Sequence, residues 1–259
     1  MTKTSHIIGA ALIVAAFTSN VNAGQNTVKT SATAASNTNL TGSLETSWVS
    51  NYVYQGAKLD SNPVFIPKLA LQYSLFEGGT LQATAQQVVG TQGSTWFRSQ
   101  YNVGFALDLG RFTLTPGYQI TSWPGRDGNN SQGFNGRLTF NDEGLTPVAL
   151  NPHVYVSSEA DPRGATPRGT YYEAGVTPSV TQGNLTASLP VTVGAGARGY
   201  YNTTDNGLNY GFASVGVNFV YTVTPGLALK AGATYYNTDS KVNATSNFVT
   251  TTVGVAASF

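Results

Sequence analysis

From residue 40 to residue 259 the chain repeats one pattern: about ten residues of alternating apolar and polar side chains, then a break rich in Gly, Asn, Asp or Pro. Alternation with period 2 puts the two sets on opposite faces of a β-strand, and such breaks are turn chemistry. The pattern predicts twelve strands, over residues 40–55, 63–75, 80–89, 96–109, 111–122, 134–141, 147–157, 170–179, 184–201, 208–222, 227–237 and 247–259. In 97–109, Phe97, Tyr101, Val103, Phe105, Leu107 and Leu109 share one face, and Arg98, Gln100, Asn102, Gly104 and Asp108 take the other. In 111–121, Phe112, Leu114, Tyr118 and Ile120 oppose Arg111, Thr113, Thr115, Gln119 and Thr121. Pro116, Pro152 and Pro190 fall inside these strands, where each removes a ladder donor, so bulges, kinks or shifted boundaries are expected there.

The breaks alternate in length. Short ones fall at Glu77-Gly78-Gly79, Gly110, Asp142-Glu143-Gly144, around Thr181 to Gly183, and at Thr224-Pro225-Gly226. Between them lie longer ones at 56–62, 90–95, 123–133, 158–169, 202–207 and 238–246. An even number of antiparallel strands with short turns at one end and longer loops at the other is the layout of a bacterial outer-membrane barrel. An apolar exterior around a polar interior inverts a soluble barrel, and only lipid rewards it. Closure is then obligatory, because an open edge in hydrocarbon leaves backbone groups unpaired. The fold expected is all-β, a single antiparallel transmembrane barrel over 40–259.

Residues 1–23 read as a secretory signal peptide: Lys3 is the charged start, Ile7 to Phe17 the apolar core, and Val21-Asn22-Ala23 a small-residue cleavage site before Gly24. Residues 24–39 are small, polar and aperiodic, the pattern of a flexible periplasmic leader. Charged residues make up only 10% of the chain, against about 25% in soluble domains. Mean hydropathy is nevertheless −0.10, because strands that are apolar at every second position hide the lipid face in an average. Without the signal, 12 basic and 12 acidic side chains remain, which gives no argument for a nucleic-acid partner. Cysteine is absent, so disulfides, thiolate chemistry and acylation at the cleavage site are excluded.

At the C-terminus Val249, Val253, Val255, Ala257 and Phe259 share one face, and the chain ends on that phenylalanine. This resembles the closing strand of outer-membrane proteins, whose terminal aromatic the barrel assembly machinery recognises; Ala257 stands where a second aromatic is usual. Near the start, Ser50-Asn51-Tyr52-Val53-Tyr54-Gln55-Gly56 precedes Ser61-Asn62-Pro63-Val64. These residues resemble the first hairpin of the TorF-like family of outer-membrane porins, with Gln55 where that family usually has arginine. The resemblance implies a barrel and a pore, not a substrate. From the residues alone, Tyr52 and Tyr54 suit an interfacial aromatic girdle and Gly56 a turn.

Strand parity places Lys68, Arg98, Arg111, Arg137, Arg198 and Lys230 in the lumen with Glu45, Asp108, Glu173 and His153. Six basic against three acidic side chains bias the interior positive, and charges lining a pore set its ion selectivity. The implied function is passive diffusion of small hydrophilic solutes with a mild anion preference; the same charges, if paired, describe a plugged structural barrel. A lipid hydrolase needs its Ser and His on the lipid-facing wall, whereas His153, the one histidine left after the signal, points inward by parity. Asp127-Gly128-Asn129-Asn130 has the spacing of a calcium loop but lacks its downstream glutamate, so it reads as a turn. No cofactor or metal is implied. Lipid, lipopolysaccharide and the assembly machinery are the expected partners, and outer loops of this length leave an adhesin little surface.

Overall fold

The computed structural model describes residues 39–91, 96–123, 130–145, 148–162, 169–201 and 207–259. The signal segment 1–23, nearly all of the leader, and Asp127, Gly128 and Asn129 lie outside them. The elements are β1 (Leu40–Val49), β2 (Tyr52–Tyr54), β3 (Ala57–Asp60), β4 (Val64–Phe76), β5 (Gly79–Gly90), β6 (Trp96–Leu109), β7 (Phe112–Ser122), β8 (Ser131–Phe140), β9 (His153–Pro162), β10 (Thr170–Val176), β11 (Ser179–Gln182), β12 (Leu185–Ser188), β13 (Val191–Ala197), β14 (Leu208–Thr224), β15 (Leu227–Thr238) and β16 (Asn247–Ser258). Fourteen of them form one antiparallel sheet that closes on itself through β1–β16 and β14–β15. Because β10 runs on into β11 and β12 into β13, the wall is a twelve-stranded barrel. The remaining two, β2 and β3, pair only with each other.

Alternation decides which side chains meet lipid. Along β14, Val215, Val217, Phe219 and Tyr221 are exposed while Ser214, Gly216 and Val220 are enclosed. The same division holds on β6, where Tyr101 and Val103 face out and Gln100 and Asn102 face in. The result is an apolar outer belt around a polar interior, the arrangement of a transmembrane barrel of outer-membrane type. The short turns at Gly78, Gly110, Gly183 and Gly226, and the β8–β9 connection at Gly144, each carry a positive-φ glycine.

Several predicted boundaries shift, each for a backbone reason. The strand expected over 40–55 ends at Val49, and the chain then turns back on itself as β2 and β3. The strand expected over 147–157 begins only at His153, so Pro152 lies outside it and the link from β8 runs from 141 to 152, longer than the short turn predicted. Pro178 and Pro190 sit in the breaks that divide β10 from β11 and β12 from β13. Pro116 stays within β7, but the β6–β7 ladder lapses beside it, between the Gly104–Gly117 and Leu107–Leu114 pairs.

The barrel closes where its first and last strands meet. β1 and β16 pair from Ser43–Ser258 to Val49–Thr252, and Gly42 and Phe259 exchange N–H···O bonds of 2.8 and 2.9 Å. Phe259 is 61% exposed on the lipid side, with its ring lying over Gly42. A Cβ at Gly42 would come within 2.6 Å of that ring. The terminal aromatic is therefore seated by the one residue type that leaves it room. Deleting Phe259, or substituting Gly42→Leu, should lower the fraction of folded, heat-modifiable barrel in outer-membrane fractions severalfold, read from boiled and unboiled gel lanes. An unchanged fraction in both variants would show that the seam does not need this contact.

Candidate functional site

The lumen is built from the inward positions of the wall strands and from the β2–β3 hairpin, which folds into the barrel at the end opposite its termini. Tyr54-Gln55-Gly56-Ala57 forms the hairpin tip, with φ of +49° at Gln55 and +83° at Gly56. Positive φ at both central residues is a type I′ turn, which matches strand twist but strains any residue other than Gly, Asn or Asp. Gln55 accepts that strain where its own carbonyl is held by the Tyr201 hydroxyl at 2.8 Å. Gly56 faces the Phe212 ring so closely that no side chain fits. Its carbonyl accepts from Asn243 Nδ2 at 2.8 Å, and Asn243 Oδ1 accepts from Lys58 N at 2.7 Å. The Lys58 ammonium lies 4.8 Å from the centroid of the Phe248 ring.

On the other side of the hairpin stands Arg98 of β6, fully enclosed. It donates through Nη1 to the Tyr52 hydroxyl and through Nη2 to Gln100 Oε1 at 3.0 Å. Its guanidinium stacks 3.7 Å from the centroid of Tyr54 and 5.2 Å from that of Trp123. Such stacking is worth about 2 kcal/mol when desolvated. Tyr54 also accepts from Gln119 Nε2 at 3.1 Å. The hairpin thus spans the lumen from β6 and β7 to β14 and β16. Val53 packs into an aromatic cluster of Tyr155, Tyr171, Tyr201, Phe212 and Tyr236, and Tyr52 packs against Val49, Val64, Ile66 and Val88. Tyr52 and Tyr54 therefore do not form the interfacial girdle expected of them. They are lumen residues, because the chain reverses after Val49.

The charged side chains sort into separate groups. Glu45 on β1 lies opposite Lys68 on β4, and Lys230 of β15 reaches Glu45 Oε2 at 2.7 Å. Farther round the wall, Arg137, Tyr155 and Glu173 occupy one row across β8, β9 and β10. Glu173 accepts from the Tyr171 hydroxyl at 2.6 Å and lies 3.3 Å from His153 Nε2. His153 is enclosed inside the barrel, away from the lipid-facing wall. Asp108, near the end of β6, accepts from Thr113 Oγ1 at 2.8 Å.

Two expected lumen charges are elsewhere. Arg111 lies in the turn between β6 and β7, exposed, with Nη1 donating to the carbonyls of Asn141 and Glu143 at 3.1 Å each. There it clamps the β8–β9 link, in which Asp142 accepts from the backbone N–H of Leu150 at 2.8 Å and of Asn151 at 2.9 Å. Burial pushes the Asp142 carboxyl up, but those donors and the Arg111 charge hold it below its ordinary value. Arg198 follows the end of β13 in a left-handed conformation, φ +54°, and is exposed. Parity failed at both because it was carried past the end of a strand. Four basic side chains (Lys68, Arg98, Arg137, Lys230) and three acidic ones (Glu45, Asp108, Glu173) remain inward, in place of the expected six and three. Among the described residues no three His, Asp or Glu side chains gather as metal ligands.

No family model matches the chain, and no curated protein matches it in sequence. Solved structures do. An outer-membrane channel of the COG4313 group from Pseudomonas putida F1 superposes with a TM-score of 0.55 at 13% identity, over 85% of this chain and 94% of that one. The NanC porin matches with 0.52 at 12% identity, over 83% and 98%. LpxR from Salmonella typhimurium matches with 0.50 at 9%, over 83% and 99%. At these identities the likeness shows the fold alone, a closed antiparallel barrel of outer-membrane type.

The hairpin's seat rests on the fit of Gly56 against Phe212. Gly56→Val should unseat the hairpin without opening the barrel. Trypsin should then cut after Lys58 at least tenfold faster than in the wild type, while the unboiled protein keeps its folded migration. Equal cleavage rates would mean that the hairpin does not depend on this contact.

Proposed function

We propose that the protein is an outer-membrane channel for passive diffusion of small hydrophilic solutes, with its outer mouth narrowed by the β2–β3 hairpin. One observation carries this reading: a closed wall, apolar outside, surrounds inward polar groups that the protein itself leaves unpaired. Among them are both polar atoms of Gln82, Nε2 of Gln86, Oδ1 of Asn102 and Nη1 of Arg137. Enclosed polar groups need partners, and in a lumen water and passing solute supply them. The COG4313 channel and NanC porin neighbours support the same reading at the level of fold. Membership of the TorF-like family is part of the proposal, since the residues that carry that resemblance are the ones that form the inward hairpin.

Lipid and lipopolysaccharide surround the barrel in this reading, the assembly machinery engages Phe259, and Lys68, Arg98, Asp108, Arg137, His153, Glu173, Glu45 and Lys230 line the path. Glu45 and Lys230 neutralise each other at 2.7 Å. Lys68, Arg98 and Arg137 then stand against Asp108 and Glu173, one net positive charge. The anion preference is accordingly mild. A second reading, a barrel closed in its resting state, is favoured by the complete enclosure of Tyr52 and Val53.

Planar-bilayer recording separates the two. The wild-type channel should conduct and show a reversal potential of slight anion preference in a dilute KCl gradient. Arg137→Gln should shift that potential toward zero or cation preference. Near 1 M salt, where the screening length is about 3 Å, the preference should vanish. Silence of correctly folded wild type, with current appearing in Gly56→Val, selects the closed barrel; silence of both rejects a channel altogether.

A further inference from the structure

The lumen wall is chemically two-sided. On β5 to β8 the inward positions carry six carboxamides: Gln82, Gln86, Gln100, Asn102, Gln119 and Asn135. Their strands are consecutive neighbours, and ladder pairs place Gln86 beside Gln100 and Asn102 beside Gln119. Gly117 makes the patch continuous. A Cβ there would lie 2.7 Å from Asn135 Oδ1 and 3.1 Å from Asn102 Oδ1, so its absence lets carboxamides from both neighbouring strands lie over one stretch of wall. At about 4.8 Å per strand, four strands make a patch about 14 Å wide.

Most of these groups keep a polar atom without a partner, Gln100 being held by Arg98. Gln82 is 1%, Gln86 4% and Asn102 6% exposed. The unpaired donors are Gln82 Nε2, Gln86 Nε2 and Asn135 Nδ2, and the unpaired acceptors are Gln82 Oε1, Asn102 Oδ1 and Gln119 Oε1, with the Thr115 hydroxyl among them. Buried polar groups of this number on one wall call for a partner. Donors and acceptors are balanced, and each carboxamide offers both whichever way it is turned. An anion would engage only the donors, and a cation only the acceptors. A hydroxyl engages either, so the complementary partner carries several hydroxyls and no charge.

We propose that the carboxamide wall of β5–β8 is a binding subsite for an uncharged polyhydroxylated solute of disaccharide size. This rests on the reading of the barrel as a channel and names the solute class that the channel favours. A site built to hydrogen-bond hydroxyls discriminates strongly against analogues that lack them.

The test uses the full barrel in detergent, titrated calorimetrically with sucrose, with sodium gluconate, and with polyethylene glycol of sucrose-like hydrodynamic radius. The same solutes are added to single channels in KCl. Sucrose should bind and reduce the current in saturable fashion; the glycol, whose ether oxygens only accept hydrogen bonds and which has donors at its two ends alone, should do neither. Gln82→Ala and Asn102→Ala should each raise the half-saturating sucrose concentration about tenfold, as expected for two ordinary hydrogen bonds. Thr115→Val, which keeps the shape and loses only the hydroxyl, should raise it about threefold, the value of a single such bond. No sucrose heat in the folded wild type overturns the subsite, whatever the conductance. So does sucrose binding that all three variants leave unchanged, or gluconate binding in its place. Sucrose heat that the variants weaken, in a barrel that passes no current, upholds the subsite and overturns the channel.

Discussion

A chain that crosses hydrocarbon has no solvent to satisfy its peptide groups, so each N–H and C=O in the span must find a partner within the protein. For strands the solution is a ladder without an edge. Here that requirement is met where β1 meets β16, two strands at opposite ends of the described chain. The Gly42–Phe259 contact shows how closely the meeting is fitted, since one bare backbone position receives the terminal ring. Alternation follows from closure: once the sheet is a tube, every residue belongs to the lipid or to the interior. The interior inherits what lipid rejects, which is why charges, carboxamides and hydroxyls crowd inside a protein with so few charges.

A tube of twelve strands is wider than its own side chains can fill. The hairpin of β2 and β3 supplies the missing volume at one end, and it does so asymmetrically. Toward β9, β10, β14 and β15 it meets aromatic rings, and toward β6 and β7 it meets Arg98 and a wall of amides. Burying Val53 and the rings around it contributes about 2 kcal/mol per side chain relative to exposure. The arginine is held by stacking on two tyrosines and a tryptophan instead of by a carboxylate, so its positive charge is retained within the lumen. An ion pair there would have cancelled it, as it does at Glu45 and Lys230.

The strands and the closing end were legible because lipid enforces period 2 over long runs, and a run of ten residues averages out local exceptions. Tyr101, Val103 and Leu109 read as one apolar face from the sequence and are outward. What could not be read was where a strand stops. Ser50 and Asn51 precede Tyr52 and Val53, but with no Gly or Pro beside them they read as polar positions of the alternation, so the pattern did not distinguish a continuing wall strand from a chain that folds back. The cost was the hairpin itself. Arg111 and Arg198 illustrate the same limit, since parity one residue beyond a strand end carries no orientation. The amides on β5 to β8 are polar positions in the sequence, and their lack of partners is a fact of three dimensions only.

The hairpin also dates the steps of assembly. It lies within 60 residues of the start of the chain, yet its bonds run to Tyr201 and Asn243, 146 and 187 residues away in sequence. Contacts that distant cannot stabilise an early intermediate, because loop-closure entropy must be met first. The tip of this hairpin therefore reaches its full seat only after β14 and the link between β15 and β16 have reached their places. A nascent sheet that has not yet closed offers the hairpin only its β4–β6 side, where Tyr52 meets Val64, Val88 and Arg98; the bonds that fix its tip across the lumen wait until the cylinder around it is finished.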